Sequence, residues 1–126
     1  MAEVVQGIRE PESETKIQGR KARMEQELAR YVRVLTAHRR PEKVIVFGSL
    51  ATGDVHAWSD IDLLVVEPTD LPFIQRLHQI RELLQPTIAT DILVYTPEEL
   101  EEMRLERPFV RDEILEKGRI VYERLN

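Results

Sequence analysis

The run Val44-Ile45-Val46-Phe47 is apolar at every position and ends abruptly at Gly48-Ser49. A strand with no polar side chain on either face has to be covered on both. Two further runs, Ile61 to Val66 and Ile88 to Tyr95, have the same character, but each carries one carboxylate, Asp62 and Asp91 respectively. The chain therefore needs a sheet with helices on both sides. It also has to accommodate two acids in strands that are otherwise buried.

The segments between the runs supply the helices. Met24, Leu28, Tyr31 and Leu35 recur at helical spacing, which predicts a helix from about Thr15 to Arg39, stopped by Pro41. Phe73 or Ile74, Leu77, Ile80 and Leu84 form a second stripe, with Asp70 expected at its N-cap and Pro86 as its stop. Thr96-Pro97-Glu98-Glu99 reads as a capping box with proline at the first helical position, opening a helix to about Glu106. Pro108 begins another short helix that turns Val110, Ile114 and Leu115 inward and closes at Gly118, and Arg119 to Tyr122 reads as an edge strand. This order gives an α/β (α+β) domain. A single domain is expected over residues 15–126, behind a mobile polar tail over 1–14.

Composition narrows the chemistry. The 126 residues include no cysteine, which excludes disulfides, thiolate metal sites and cysteine nucleophiles. Three histidines without ligand spacing give no zinc site. No apolar run approaches the length of a membrane span, and the acidic start does not read as a secretory signal, so a cytoplasmic protein is expected. The net charge of −5 conceals an asymmetry, because residues 16–43 carry nine Lys or Arg against three Glu. That basic segment reads as a solvated helix face, as a docking face for an acidic partner protein, or, less well, as a nucleic-acid stripe with few aromatics.

The acids lead furthest. Asp60 and Asp62 are two residues apart at the start of a strand and share a face. Two like charges there repel and are costly to desolvate, unless one is exposed or capped or a divalent cation joins them. Mg²⁺ takes a few carboxylates together with water and phosphate oxygens. Gly48 lets the backbone come close to an anion, and Ser49 adds a hydroxyl donor. A phosphate seat beside a metal seat suits phosphoryl or nucleotidyl transfer. If the third run pairs with the second, Asp91 joins the set and is placed to accept a proton from an attacking hydroxyl.

Gly48-Ser49, ten residues, then Asp60-Ile61-Asp62 resembles the G-S-x10-D-x-D signature of the DNA polymerase β-like nucleotidyltransferases. Size and context resemble the minimal nucleotidyltransferase (MNT) branch, which includes the MntA-like antitoxins of HEPN/MNT pairs. The resemblance implies the polymerase β-like fold, a small mixed sheet flanked by helices. It implies that Gly48 and Ser49 bind the nucleotide phosphates and that Asp60, Asp62 and Asp91 are the catalytic acids and metal ligands for two Mg²⁺ ions. The reaction it implies moves a nucleoside monophosphate, AMP from ATP, onto a hydroxyl of a HEPN-type toxin partner, so that this chain acts as an antitoxin. One departure is Thr52, which stands where many members have arginine in G-S-x-A-R-G.

Two other functions are open from the sequence. One is a non-catalytic module that neutralises its partner by contact. The other is a small-molecule nucleotidyltransferase of the aminoglycoside-modifying kind, for which this length leaves no second domain unless a homo-oligomer provides the pocket. His56 and Trp58, in the loop between the motifs, read either as a base-stacking pair or as packing over the sheet edge. Tyr31 reads as core, and His38 and His78 as surface residues.

Overall fold

The structure is a computed structural model and describes residues 13–125. The tail expected over 1–14 lies outside the described residues except for Ser13 and Glu14, which open the first helix. Helix α1 runs Glu14–His38, with the Ser13 side chain accepting from the Lys16 amide. Strand β1 (Lys43–Phe47) is followed by a single helical turn, α2 (Ser49–Thr52). Then come β2 (Ile61–Val66), α3 (Phe73–Leu84), β3 (Thr90–Tyr95) and α4 (Pro97–Glu106). A π-helix over Val110–Glu116 and the strand β4 (Arg119–Glu123) complete the order.

The sheet has four strands in the order β3-β2-β1-β4. β1 is antiparallel to both β2 and β4, while β2 and β3 are parallel across the α3 crossover. Strand alternation sorts the side chains into two cores. On one face Val44, Val46, Ile61, Leu63, Val65, Ile92 and Val94 pack with Met24, Leu28, Tyr31 and Leu35 of α1 and with Ile80 and Leu84 of α3. On the other, Ile45, Phe47, Leu64 and Val66 pack with Val110 and Ile114 of the π-helix. The expected α1 stripe is thus the stripe that is buried. Each such side chain contributes about 1.5–3 kcal/mol by leaving water.

The capping box at Thr96 forms as read, with the Glu99 amide donating to the Thr96 hydroxyl and the Thr96 amide to the Glu99 carboxylate. The expected cap at Asp70 does not form. The N-cap of α3 is Pro72, because Thr69 takes the Leu71 amide and the φ of −60° at Pro72 already aims the chain into the helix. The short helix after Pro108 also differs from the expected one. Its bonding widens to a π pattern, with the Lys117 amide reaching the Asp112 carbonyl at 3.1 Å. A Cβ on Gly118 would run into the Ile114 carbonyl, so glycine is what lets the chain turn from the π-helix into β4. Among the described residues no helix is long and apolar enough to cross a membrane.

Candidate active site

The register of β2 on β3 pairs Asp62 with Asp91 directly. Their neighbours Ile61, Leu63 and Ile92 point into the α1 core, so both carboxylates face the side of the sheet covered by the π-helix. They stand at the strand ends, beyond that cover: Asp91 is exposed and Asp62 half-buried. Asp60 lies one residue before β2 and is exposed. In the antiparallel direction Asp62 pairs with Phe47, which is buried and meets Phe109 edge-on at 6.0 Å. This apolar wall removes water from one side of the Asp62 carboxyl. Burial, and then the charges of Asp91 and Asp60, push its pKa up from 3.8 to about 6.

Gly48 completes this corner. Its φ of 72° with ψ of −150° is a conformation that glycine alone adopts readily. A Cβ there would collide with the Asp62 carboxylate. The Gly48 backbone therefore lies directly against the acid, with Ser49 opening the turn that follows. Thr52 donates its hydroxyl back to the Gly48 carbonyl at 3.3 Å, so the residue at the departing position serves the turn itself. Thus Gly48, Ser49, Asp60, Asp62 and Asp91 all lie at one end of the sheet, around the start of β2.

The donor set is hard oxygen on one open edge. Among the described residues no group of three acids or histidines closes into a ready-made metal cage. An open edge of carboxylates fits a cation that keeps water and takes substrate oxygens, as Mg²⁺ does. The crowding that raises Asp62 is the kind of charge excess such a cation relieves.

The loop between α2 and β2 is held from several sides. The buried Ser59 receives the His56 amide on its hydroxyl at 2.7 Å and returns its own amide to the His56 carbonyl at 3.1 Å. Trp58 is 54% exposed and stacks on His56, the ring centroids 5.5 Å apart. The Ser59 carbonyl accepts Nε and Nη2 of Arg20 at 3.0 and 2.8 Å, a contact spanning 39 residues that the sequence reading did not identify. The only signal for it was the unexplained basic segment. Tyr31 is core, donating to Thr90 Oγ1 at 2.7 Å, since that hydroxyl spends its own proton on the Ile88 carbonyl. His38 and His78 are exposed on their helices.

A mixed sheet with a Gly-Ser turn beside paired strand acids agrees with what the comparisons show. The chain belongs to the nucleotidyltransferase domain family, whose model matches residues 25–121. It is 36% identical over 83 residues to a Methanocaldococcus jannaschii protein named "Putative protein adenylyltransferase MJ0604", a stretch covering 66% of this chain and 80% of that one. Its fold is similar to a crystal structure described as a "putative nucleotidyltransferase from Sulfolobus solfataricus". The TM-score is 0.64 and the identity 20%, over 95% of this chain and 94% of that one. It is also similar to a chain in a crystal structure of a toxin-antitoxin with AMP-PNP, with a TM-score of 0.51 and 20% identity over 76% of this chain and 73% of that one.

Proposed function

We propose that residues 15–126 form one Mg²⁺-dependent nucleotidyltransferase domain that moves AMP from ATP onto a hydroxyl of a HEPN-type toxin, acting as its antitoxin in the cytoplasm. The observation that carries this reading is the side-by-side register of Asp62 and Asp91 at an open strand end, against the backbone of Gly48. The name of the M. jannaschii relative supports a protein acceptor, and the toxin-antitoxin neighbour with AMP-PNP supports a nucleotide and a partner protein.

In this reading Gly48 and Ser49 seat the β- and γ-phosphates, where a side chain at position 48 would stand in the way. Asp60 and Asp62 would hold the cations, with Asp91 as a further carboxylate ligand. Bound there, Mg²⁺ supplies charge neutralisation for the triphosphate and acidifies the acceptor hydroxyl. The acceptor oxygen attacks the α-phosphorus, the bond to the bridging α–β oxygen breaks, and pyrophosphate leaves. Asp91, whose carboxylate is exposed, takes the hydroxyl proton. The Phe47 wall keeps water from the Asp62 side and strengthens each electrostatic contact there.

The test is transfer of label from α-³²P-ATP to a co-expressed HEPN partner, with and without Mg²⁺. Wild type labels the partner only with Mg²⁺, and an Asp60→Asn, Asp62→Asn double variant does not. A double variant that still silences the toxin without labelling it identifies contact neutralisation instead. Label carried by a small molecule but never by protein identifies the aminoglycoside-type reaction.

A further inference from the structure

Four charged residues lie along one line of α1, Arg20, Arg23, Glu27 and Arg30, at spacings of three, four and three. Each reaches a loop that feeds a candidate acid. Arg20 takes the Ser59 carbonyl through two N–H groups at 3.0 and 2.8 Å. Arg23 donates to the Thr87 carbonyl at 3.1 Å and Arg30 to the Gln85 carbonyl at 3.2 Å. Glu27 accepts the Thr87 amide at 2.6 Å and its hydroxyl at 2.7 Å. From α3, Arg81 donates to the Thr90 carbonyl at 2.7 Å. Ser59 immediately precedes Asp60, and Thr90 immediately precedes Asp91.

We propose that Arg20 is a positioning residue of the nucleotidyltransferase site. It fixes Asp60 and Asp62 against Asp91 through the Ser59 carbonyl. The inference rests on the reading of those three acids as the cation ligands. Asp60 needs such an anchor because it lies outside the β2 ladder, which begins at Ile61. The bond that ties the start of β2 to the segment before β3 is the Ile61 amide to the Ala89 carbonyl at 3.1 Å. A two-pronged guanidinium contact sets the direction of a carbonyl as well as its distance, and its charge strengthens both bonds. Lysine offers a point charge and cannot reproduce the fork. The basic segment thus has a task within the chain: its first turns hold the acid-bearing loop, while Glu27 and Arg30 hold the loop before β3.

The sole tryptophan, Trp58, adjoins Ser59, so its fluorescence reports the state of this loop. The experiment compares wild type, Arg20→Ala, Arg20→Lys and the exposed control Arg33→Ala. Three quantities are read: acrylamide quenching of Trp58, the Mg²⁺ concentration that half-saturates ATP binding, and the melting temperature. For Arg20→Ala we expect easier quenching and a Mg²⁺ midpoint raised by roughly tenfold or more, with melting close to wild type. Arg20→Lys is expected to fall between, with a midpoint raised about threefold because it keeps the charge and loses the fork. Arg33→Ala matches wild type. A merely structural Arg20 would lower melting without moving the Mg²⁺ midpoint, and that result overturns the proposal, as does unchanged quenching in Arg20→Ala. If Arg20→Ala does not fold, Arg20→Lys decides, and a wild-type midpoint in it overturns the proposal. A wild type that binds ATP without any need for Mg²⁺, or not at all, overturns the site reading and this inference with it.

Discussion

Two carboxylates lie on opposite sides of the same sheet, Glu27 on α1 and Asp62 in β2 on the side of the π-helix. Glu27 is buried and every one of its contacts is favourable. Arg30 donates to both of its oxygens at 2.7 and 3.0 Å, and Thr87 adds an amide and a hydroxyl. The Arg30 bond first, then those from Thr87, hold its pKa down to about 2 against the cost of burial. Asp62 is less buried, yet its pKa goes up to about 6, because the side chains around it are apolar or acidic. One acid has been supplied with partners by the fold, and the other has been left short of positive charge. An evolved core does not leave a half-buried acid beside two more acids for the sake of stability. A shortage of cation at a strand end, against a glycine whose backbone is open to an anion, supports the proposal that this site takes its cation from solution.

This contrast makes the largest prediction a matter of activity. If the proposed reaction is the right one, Asp62→Asn lowers nucleotidyl transfer by about a thousandfold or more, equivalent to roughly 4 kcal/mol of barrier, while the protein stays folded. Glu27→Gln, measured where it is folded, leaves transfer within about threefold of wild type. Initial rates with Mg²⁺ and ATP check both, and comparable loss in the two variants would erase the distinction. Next in size is the reverse experiment on stability. Glu27→Ala strips Arg30 and the Thr87 amide of their shared acceptor and costs about 2–3 kcal/mol. Urea unfolding with an unchanged slope would show it, and a midpoint equal to wild type would break the assignment of Glu27 to the framework.

Gly48→Ala isolates the Asp62 corner. The positive φ costs about 1–3 kcal/mol in any surroundings. The added Cβ must in addition displace the Asp62 carboxylate. Gly53→Ala is the matched control, with a φ of 85° but no atom near its Cβ. Both variants lose stability in urea, and only Gly48→Ala loses Mg²⁺-dependent ATP binding in calorimetric titration. Equal loss of binding would reduce Gly48 to a turn residue.

The strands were legible in the sequence because burial on both faces leaves largely apolar runs, and Asp62 and Asp91 stood out as the charged residues within them. Their side-by-side register was not legible. It depends on β2 and β3 being parallel neighbours, and no spacing in the chain states that. The π-helix looks like an ordinary short helix in the sequence, since one widened turn leaves Val110 and Ile114 at helical spacing. Asp70 was a fair cap on residue type, but Thr69 and Pro72 settle the entry to α3. The line from Arg20 to Arg30 was visible only as a basic segment, because its partners Ser59, Gln85 and Thr87 come from loops far along the chain whose position is tertiary information.

The smallest effect is the sharpest, because the two acids should respond to pH with opposite sign. Asp62 titrates near 6 in the folded chain and near 3.8 when unfolded. Between those values the native state binds more protons than the unfolded state. Its contribution therefore favours folding at low pH, and stability is lost as pH rises from about 4 through 6. A shift of this size would cost about 3 kcal/mol if fully shielded from water. Solvent on the open side of the edge screens it to roughly 1–2 kcal/mol. Glu27 runs the other way: its stabilisation is present above its usual 4.5 and is lost as pH falls toward about 2. In EDTA, Asp62→Asn should therefore be more stable than wild type at pH 8 by about 1–2 kcal/mol and no more stable at pH 3.5. Glu27→Gln should be less stable at pH 8, with a deficit that shrinks below pH 4. Urea midpoints at the two pH values measure all four differences. An Asp62→Asn variant less stable than wild type at pH 8 would mean that the fold already satisfies this carboxylate, and the case for an external cation would lose its physical basis.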